Sequence, residues 1–243
     1  MVKGHDVNID RDQPTASEPL DTPRWNRPVG EARATLILAH GAGAPMDSPF
    51  MEEMAQRLAA RGLAVVRFEF DYMAERRRGG RRPPDRQPVL LARWRHVLEH
   101  VRQQVAGTLA IGGKSMGGRM ASLLADESQV DALVCLGYPF HPVGRPDKPR
   151  VEHLAALTTP TLIVQGERDA LGNRDTVAGY RLSNAIRLSW LATANHDLKP
   201  LKRSGFTHEA YLEKTASMVA HFLVTLPAGA GAVSDRPDGA PSG

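Results

Sequence analysis

The 243-residue sequence holds a single cysteine, Cys135. One cysteine excludes an intrachain disulfide and makes a cysteine-based metal cluster untenable. Cys135 lies in an apolar run and reads as a small core residue. Long hydrophobic runs are also missing, since none approaches the roughly 18 residues needed to span a bilayer. The N-terminus has no apolar segment of the secretory type. No His, Asp and Glu cluster has metal-ligand spacing, so no metal and no cofactor is expected. No internal repeat is visible. These gaps leave a cytoplasmic enzyme or binding domain as the expectation, with no membrane partner. What is present fits that class: 42% hydrophobic and 24% charged residues, and a net charge of +4. The length suits one domain with a sizeable core.

Residues 1–28 are polar and proline-bearing, and are expected to be a mobile arm or an edge extension. Residues 227–243 are mostly small residues and proline, and are expected to be a disordered tail. Between them, residues 29–226 should form one α/β domain. Apolar runs at 34–39, 64–68, 109–111, 132–136, 161–164 and 185–191 read as buried strands. Helical patterns separate them. Pro49 after Asp47-Ser48 marks a helix start, followed by Phe50, Met54 and Leu58 on one face. Leu90, Trp94, Val97, Leu98, Val101 and Val105 form the clearest helical stripe. Tyr211 to Phe222 makes a final helix that stops before Pro227. Alternating strands and helices predict a mostly parallel central sheet flanked by helices on both faces. Ligands bind such sheets beyond the carboxyl ends of the strands.

The run Gly112-Gly113-Lys114-Ser115-Met116-Gly117-Gly118 follows one predicted strand. Two chemistries use glycines around a serine in this way. A phosphate-binding loop needs G-x-x-x-x-G-K-[S/T], but the first glycine would have to be residue 108, which is Thr108. The loop would also consume residues that read as strand. G-x-S-x-G fits in register as Gly113-Lys114-Ser115-Met116-Gly117. There the serine occupies a strained strand-to-helix turn, and its flanking positions must be small because strand and helix nearly touch.

A serine hydroxyl needs a base, and the base needs an orienting acid. On this architecture they follow in the order Ser, Asp or Glu, His, each after a strand. Asp169 lies in the turn after 161–164, and His196 in the loop after 185–191. Ser115, Asp169 and His196 are therefore the candidate catalytic residues. Glu167 and Asp175 are alternative acids, and His208 is an alternative base. An oxyanion needs backbone donors. Met116 supplies one candidate N–H. Ala42, in the glycine-rich turn His40-Gly41-Ala42-Gly43-Ala44, supplies the other. His40 is expected to brace that turn.

Several phrases extend the pattern: LAHGAGAPMDSPFM, VVRFEFDYM followed by RRPPDR, GGKSMGGRMAS, VQGERD and NHDL. Together they resemble the α/β-hydrolase superfamily over nearly all of residues 34–223. More narrowly, they are similar to a small dienelactone-hydrolase-like group that includes relatives of testis-expressed protein 30 and of nonspecific-lethal complex subunit 3. The resemblance implies an α/β-hydrolase fold with Ser115, Asp169 and His196 as the triad. It implies a serine hydrolase acting on a small-molecule carboxylic ester or thioester. Dienelactone hydrolases themselves use a cysteine nucleophile, and this chain has serine. Some members of the group serve as complex subunits, so the alternative is a non-catalytic interaction module binding an anionic or protein partner.

Many α/β-hydrolases carry a lid domain, but residues 137–160 must also hold a crossover helix, expected around Val151 to Leu157, and are too few for a lid as well, so an open site is expected. Gly41, Tyr138 and Phe140, with His141, are candidates to line the mouth. Arg76 opens an arginine-rich run, residues 76–86, near the end of another predicted strand. It could hold an acidic substrate group through bidentate pairing, or the run could be a solvated loop. No aromatics interleave it, so no nucleic acid is expected as a partner.

Overall fold

The computed structural model describes residues 22–226. Residues 1–21 of the expected arm and the expected tail at 227–243 lie outside the described residues. The chain forms a seven-stranded sheet: β1 (Arg24–Asn26), β2 (Ala34–Ala39), β3 (Leu63–Phe68), β4 (Leu109–Lys114), β5 (Ala132–Leu136), β6 (Thr161–Gly166) and β7 (Ile186–Leu191). The spatial order is β1-β3-β2-β4-β5-β6-β7. All pairs are parallel except β1 with β3. The helices are α1 (Pro49–Ala59), α2 (Asp71–Arg77), α3 (Gln87–Arg102), α4 (Met116–Ser122), α5 (Arg174–Ala178) and α6 (His208–Val224). This is an α/β-hydrolase fold.

The period of two in each strand divides the core. In β2, Leu36 and Leu38 face one layer, while Ile37 and Ala39 face the other. The first layer receives Met51, Met54 and Leu58 of α1, and Tyr211, Ala216 and Val219 of α6. The second receives Leu90, Trp94, Val97 and Val101 of α3, with Met120 and Ala121 of α4. Both faces are therefore covered, as a parallel sheet requires.

The strand order explains where a site can form. From β2 the chain steps outward to β3, and then returns to place β4 on the other side of β2. The loop after β2 leads to α1 on one face, and the turn after β4 leads to α4 on the other. A crevice opens between them at the carboxyl ends of the strands.

Three local expectations change. Of the two readings given for residues 1–28, the edge extension holds and the mobile arm does not over Arg24–Asn26, which is an edge strand paired with Arg67–Val65. Its polar residues concealed it. Asn26 Oδ1 accepts from the buried Arg67 guanidinium at 3.0 and 3.3 Å, satisfying a charge that β3 carries into the interior. The run read as a fully buried strand at 185–191 is half-exposed along most of its length, because β7 is the sheet's other edge. Between β5 and β6 there is one short 3-10 turn, Glu152–Ala155, in place of a crossover helix, and no lid. Among the described residues, no helix is long and apolar enough to cross a membrane.

Candidate active site

β4 runs through Gly113 to Lys114, so the residues a phosphate loop would need are strand. Ser115 follows at φ 52° and ψ −117°, a left-handed conformation rare for a non-glycine residue. Its amide donates to the Leu136 carbonyl at 3.0 Å, which ties the turn to β5. Glycine is required on both sides by contact. A Cβ on Gly113 would lie 2.6 Å from the Ala39 carbonyl oxygen and the Gly117 carbonyl carbon. One on Gly117 would lie 2.5 Å from the Ala39 oxygen and 2.6 Å from the His40 oxygen. The hydroxyl of Ser115 thus stands at the crevice because β2, β4 and α4 touch backbone to backbone beneath it.

The three candidates from separate strand ends meet here. His196 Nε2 lies 2.8 Å from Ser115 Oγ, and His196 Nδ1 lies 2.7 Å from Asp169 Oδ2. The Asp169 carboxylate is wholly buried, so its oxygens need donors. The Leu171 amide donates to Oδ1 at 2.8 Å, and Gln165 Nε2 donates to Oδ2 at 2.8 Å. A carboxylate accepting at Oδ2 fixes the imidazole with its proton on Nδ1, which leaves Nε2 as an acceptor toward Ser115. The alternative residues point elsewhere. Glu167 is held by Arg174 at 2.6 Å and by the Thr193 amide at 3.0 Å. Asp175 is exposed in α5. His208 lies 3.1 Å from the Asp197 carbonyl oxygen.

The loop after β2 faces Ser115. His40 is fully buried below it, with Nδ1 donating to the Gly41 carbonyl at 2.7 Å and Nε2 accepting from the Phe70 amide at 3.2 Å. Burial holds its pKa below the usual histidine value. The Tyr72 hydroxyl donates toward the Gly41 and Ala42 carbonyls at 3.4 and 3.1 Å. In a trans peptide the N–H points opposite to the carbonyl. With the Gly41 carbonyl turned to His40 and Tyr72, the Ala42 N–H is turned away from them. Ala42 and Met116 line one cleft with Ser115. Among the described residues neither N–H has a hydrogen-bond acceptor. His40 therefore braces the loop.

Two clefts flank Ser115. The first, about 290 Å³, is lined by Gly41, Ala42, Phe50, Met51, Lys114 and His196 among others. The second, about 430 Å³, extends past Met116 to Arg119, Pro139, Arg150 and Leu171. Of the candidates for the mouth, Gly41 takes that place. Tyr138 and Phe140 do not: both are fully buried, their rings 4.8 Å apart, in the core layer beneath the loop. The Tyr138 amide donates to Gln165 Oε1 at 2.7 Å, which turns the side chain inward. His141 is buried as well. Arg76 lines neither cleft. Its Nε donates to the Arg82 carbonyl at 2.6 Å and its Nη1 to the Ala42 carbonyl at 3.4 Å, so it braces the loop from outside. Arg77 pairs with Glu69 and Asp47, and Arg82 with Glu75 and Asp85. Much of the arginine run is thus spent inside the protein.

The sequence reading missed Gln165 and Lys114. Gln165 is buried, joining Asp169 to the Tyr138 backbone. Lys114 Nζ donates to the His196 carbonyl at 2.9 Å and lies 3.6 Å from Asp197. A polar residue ending an apolar strand beside a candidate acid is the signal that could have found Gln165.

Residues 32–224 match the family described as "Alpha/beta hydrolase domain". Solved structures share the architecture. A Xanthomonas campestris α/β serine hydrolase described as lacking a lid is 21% identical, with 84% of this chain and 90% of that chain covered and a TM-score of 0.63. A dienelactone hydrolase from Anabaena variabilis is 22% identical over 82% of this chain and 89% of its own, at a TM-score of 0.60. An alpha-beta serine hydrolase homologue from Coxiella burnetii is 20% identical over 83% and 89%, at 0.61. At these identities the likeness is one of fold.

Proposed function

The chain belongs to the alpha/beta hydrolase domain family, and from that membership and the geometry around Ser115 we propose that it is a serine hydrolase cleaving a carboxylic ester or thioester. The observation that carries this reading is the continuous hydrogen-bonded line Ser115–His196–Asp169, 2.8 and 2.7 Å, ending on a buried carboxylate.

Ser115 Oγ passes its proton to His196 Nε2 as it bonds to the acyl carbon. The carbonyl oxygen becomes an oxyanion between the N–H groups of Met116 and Ala42. Asp169 stabilises the imidazolium, itself held by Gln165 and the Leu171 amide. The tetrahedral intermediate collapses, the acyl–oxygen or acyl–sulfur bond breaks, and His196 returns the proton to the leaving group. Water then repeats the sequence on the acyl-enzyme and frees Ser115. The open clefts and the missing lid favour a small acyl substrate. The arginine run lends the interaction-module alternative little, because Arg76, Arg77 and Arg82 are engaged within the chain.

A fluorophosphonate probe tests this without knowledge of the substrate, because it reports an activated serine beside oxyanion donors. Wild type should label, whereas Ser115→Ala and His196→Ala should not. Folded wild type that stays unlabelled would sink the catalytic reading.

A further inference from the structure

The cleft on the Met116 side of Ser115 carries two cations, Arg119 and Arg150, that form no ion pair with a carboxylate among the described residues. Arg119 lies one helical turn beyond Ser115, its amide donating to the Ser115 carbonyl at 3.0 Å. Its Nη2 reaches Gln87 Oε1 at 3.3 Å, and its Nε is sealed from solvent with no acceptor. Arg150 reaches the same cleft from the connection between β5 and β6. Its backbone is fixed at both ends: the amide donates to the Phe140 carbonyl at 2.7 Å, and its carbonyl accepts from the Tyr138 hydroxyl at 3.2 Å. Among the described residues neither guanidinium has a carboxylate partner.

That is unlike the arginines nearby, where Arg77 and Arg82 each hold two acids. Asp85 lines the same cleft, but it is committed to Arg82 at 2.8 Å and to the Tyr72 amide at 3.2 Å. Removing a cation from water is costly unless an anion or acceptors replace the solvent. The local field shows the imbalance. Burial and the Arg150 charge both lower the Arg119 pKa, and burial with the Arg119 charge holds His153 down to about 4. The Arg119 Nε is closed off, so a counterion must meet the outer nitrogens; the pair also lines a second cleft with Glu152, but of the two only the cleft on the Met116 side reaches Ser115. The intervening walls include Leu90, Met120, Pro139 and Leu171, which suit a short hydrocarbon spacer.

We propose that Arg119 and Arg150 form an anion subsite, so that the ester or thioester cleaved at Ser115 carries a free carboxylate at its far end. Two planar guanidinium forks match the two oxygens of a carboxylate better than point charges would. The first cleft, with Phe50, Met51 and Ala44, receives the other part of the substrate. This inference rests on the hydrolase reading above, which supplies the bond to be cleaved.

Matched pairs of esters test it on either side of that bond. For an anionic acyl group the pair is mono-4-nitrophenyl adipate and 4-nitrophenyl hexanoate. For an anionic leaving group it is 3-(4-acetoxyphenyl)propionate and 4-propylphenyl acetate. In wild type, kcat/KM for the anionic member should exceed that for the neutral member in at least one pair. That ratio should fall at least tenfold in Arg119→Gln and in Arg150→Gln, and recover partly in Arg119→Lys. A ratio near one in both pairs, or one that ignores both glutamine variants, overturns the subsite. Fluorophosphonate labelling of the same preparations separates the two failures, since a labelled enzyme without the preference sinks the subsite alone. If wild type does not label, titration of adipate into Ser115→Ala still decides the subsite. Binding weakened at least tenfold by either glutamine substitution supports it, and indifference overturns it.

Discussion

Lys114 places a cation against the loop of the proposed base, and its contacts explain how it is tolerated there. Burial pushes its pKa down, and the charges of Asp197 and Asp169 push it back up. Its Nζ donates to the His196 carbonyl at 2.9 Å and lies over the Phe50 ring, 5.8 Å from its centre. This bond fixes the backbone from which the imidazole projects, so Lys114 is a positioning residue. Lys114→Met keeps the length and loses the bond. We expect kcat to fall about tenfold, because small misplacements of a catalytic group are costly. Circular dichroism should show an intact fold, and an unchanged kcat would remove Lys114 from this role. The contrast with Ser115, Asp169 and His196 is instructive. Each of those follows a strand and has a residue type with recognisable chemistry, so order and position were enough to single them out as candidates. Lys114 acts on a residue 82 positions away, and no local pattern announces that contact; Gln165, four residues before Asp169, left only the faint mark of a polar residue ending an apolar strand.

At the level of elements, the decisive feature is the contact between the β4–α4 turn and the end of β2. Gly117 is pinned against the Ala39 and His40 carbonyls. Those residues lead directly into the loop that presents Ala42. A methyl at 117 must move either α4 or that loop, since the obstructing atoms are backbone. Gly117→Ala should therefore cost about 3 kcal/mol of stability, read by urea unfolding. It should also reduce fluorophosphonate labelling more than in proportion to the folded fraction. Gly43→Ala is the stability control: nothing lies within 4 Å of its added Cβ, and a change within about 0.5 kcal/mol is expected. If the two variants were equally stable, the close approach would not be what holds the turn. The glycines around Ser115 were legible for this reason, as were the strands whose apolar runs face two layers. β1 was not, because Arg24-Trp25-Asn26 lacks an apolar run and is a strand only by pairing with β3. The burial of Tyr138 and Phe140 was likewise invisible, because position just after a strand does not tell which way a loop side chain turns.

Across the whole molecule, two neutral histidines underlie the site from different sides of the crevice. His40 sits beneath the Gly41–Ala42 loop. His153 sits beneath α4, with Nε2 at 2.8 Å from Ser122 Oγ, whose own proton goes to the Arg119 carbonyl at 2.8 Å. Ser122 thus accepts, and His153 is the Nε2–H tautomer. Burial lowers both pKa values, that of His153 to about 4. A histidine whose folded pKa lies below its unfolded value of 6.5 binds more protons when unfolded, so it contributes full stability above pH 6.5. That contribution falls as the pH drops below 6.5, and for His153 it is lost down to about pH 4. Thermal melts of wild type should therefore shift downward between pH 7 and pH 5. His153→Gln retains an N–H donor for Ser122 without the titration, and should shift less. Allowing for solvent screening of this partly exposed ring, the difference should be about 1 kcal/mol, or roughly 2–4 °C. Equal shifts in the two proteins would mean that His153 is not held neutral. Burial is the larger cause of that depression and the Arg119 charge adds to it, which links the His153 titration to the proposed anion subsite. A carboxylate bound between Arg119 and Arg150 should raise the His153 pKa and reduce the difference between the two melts.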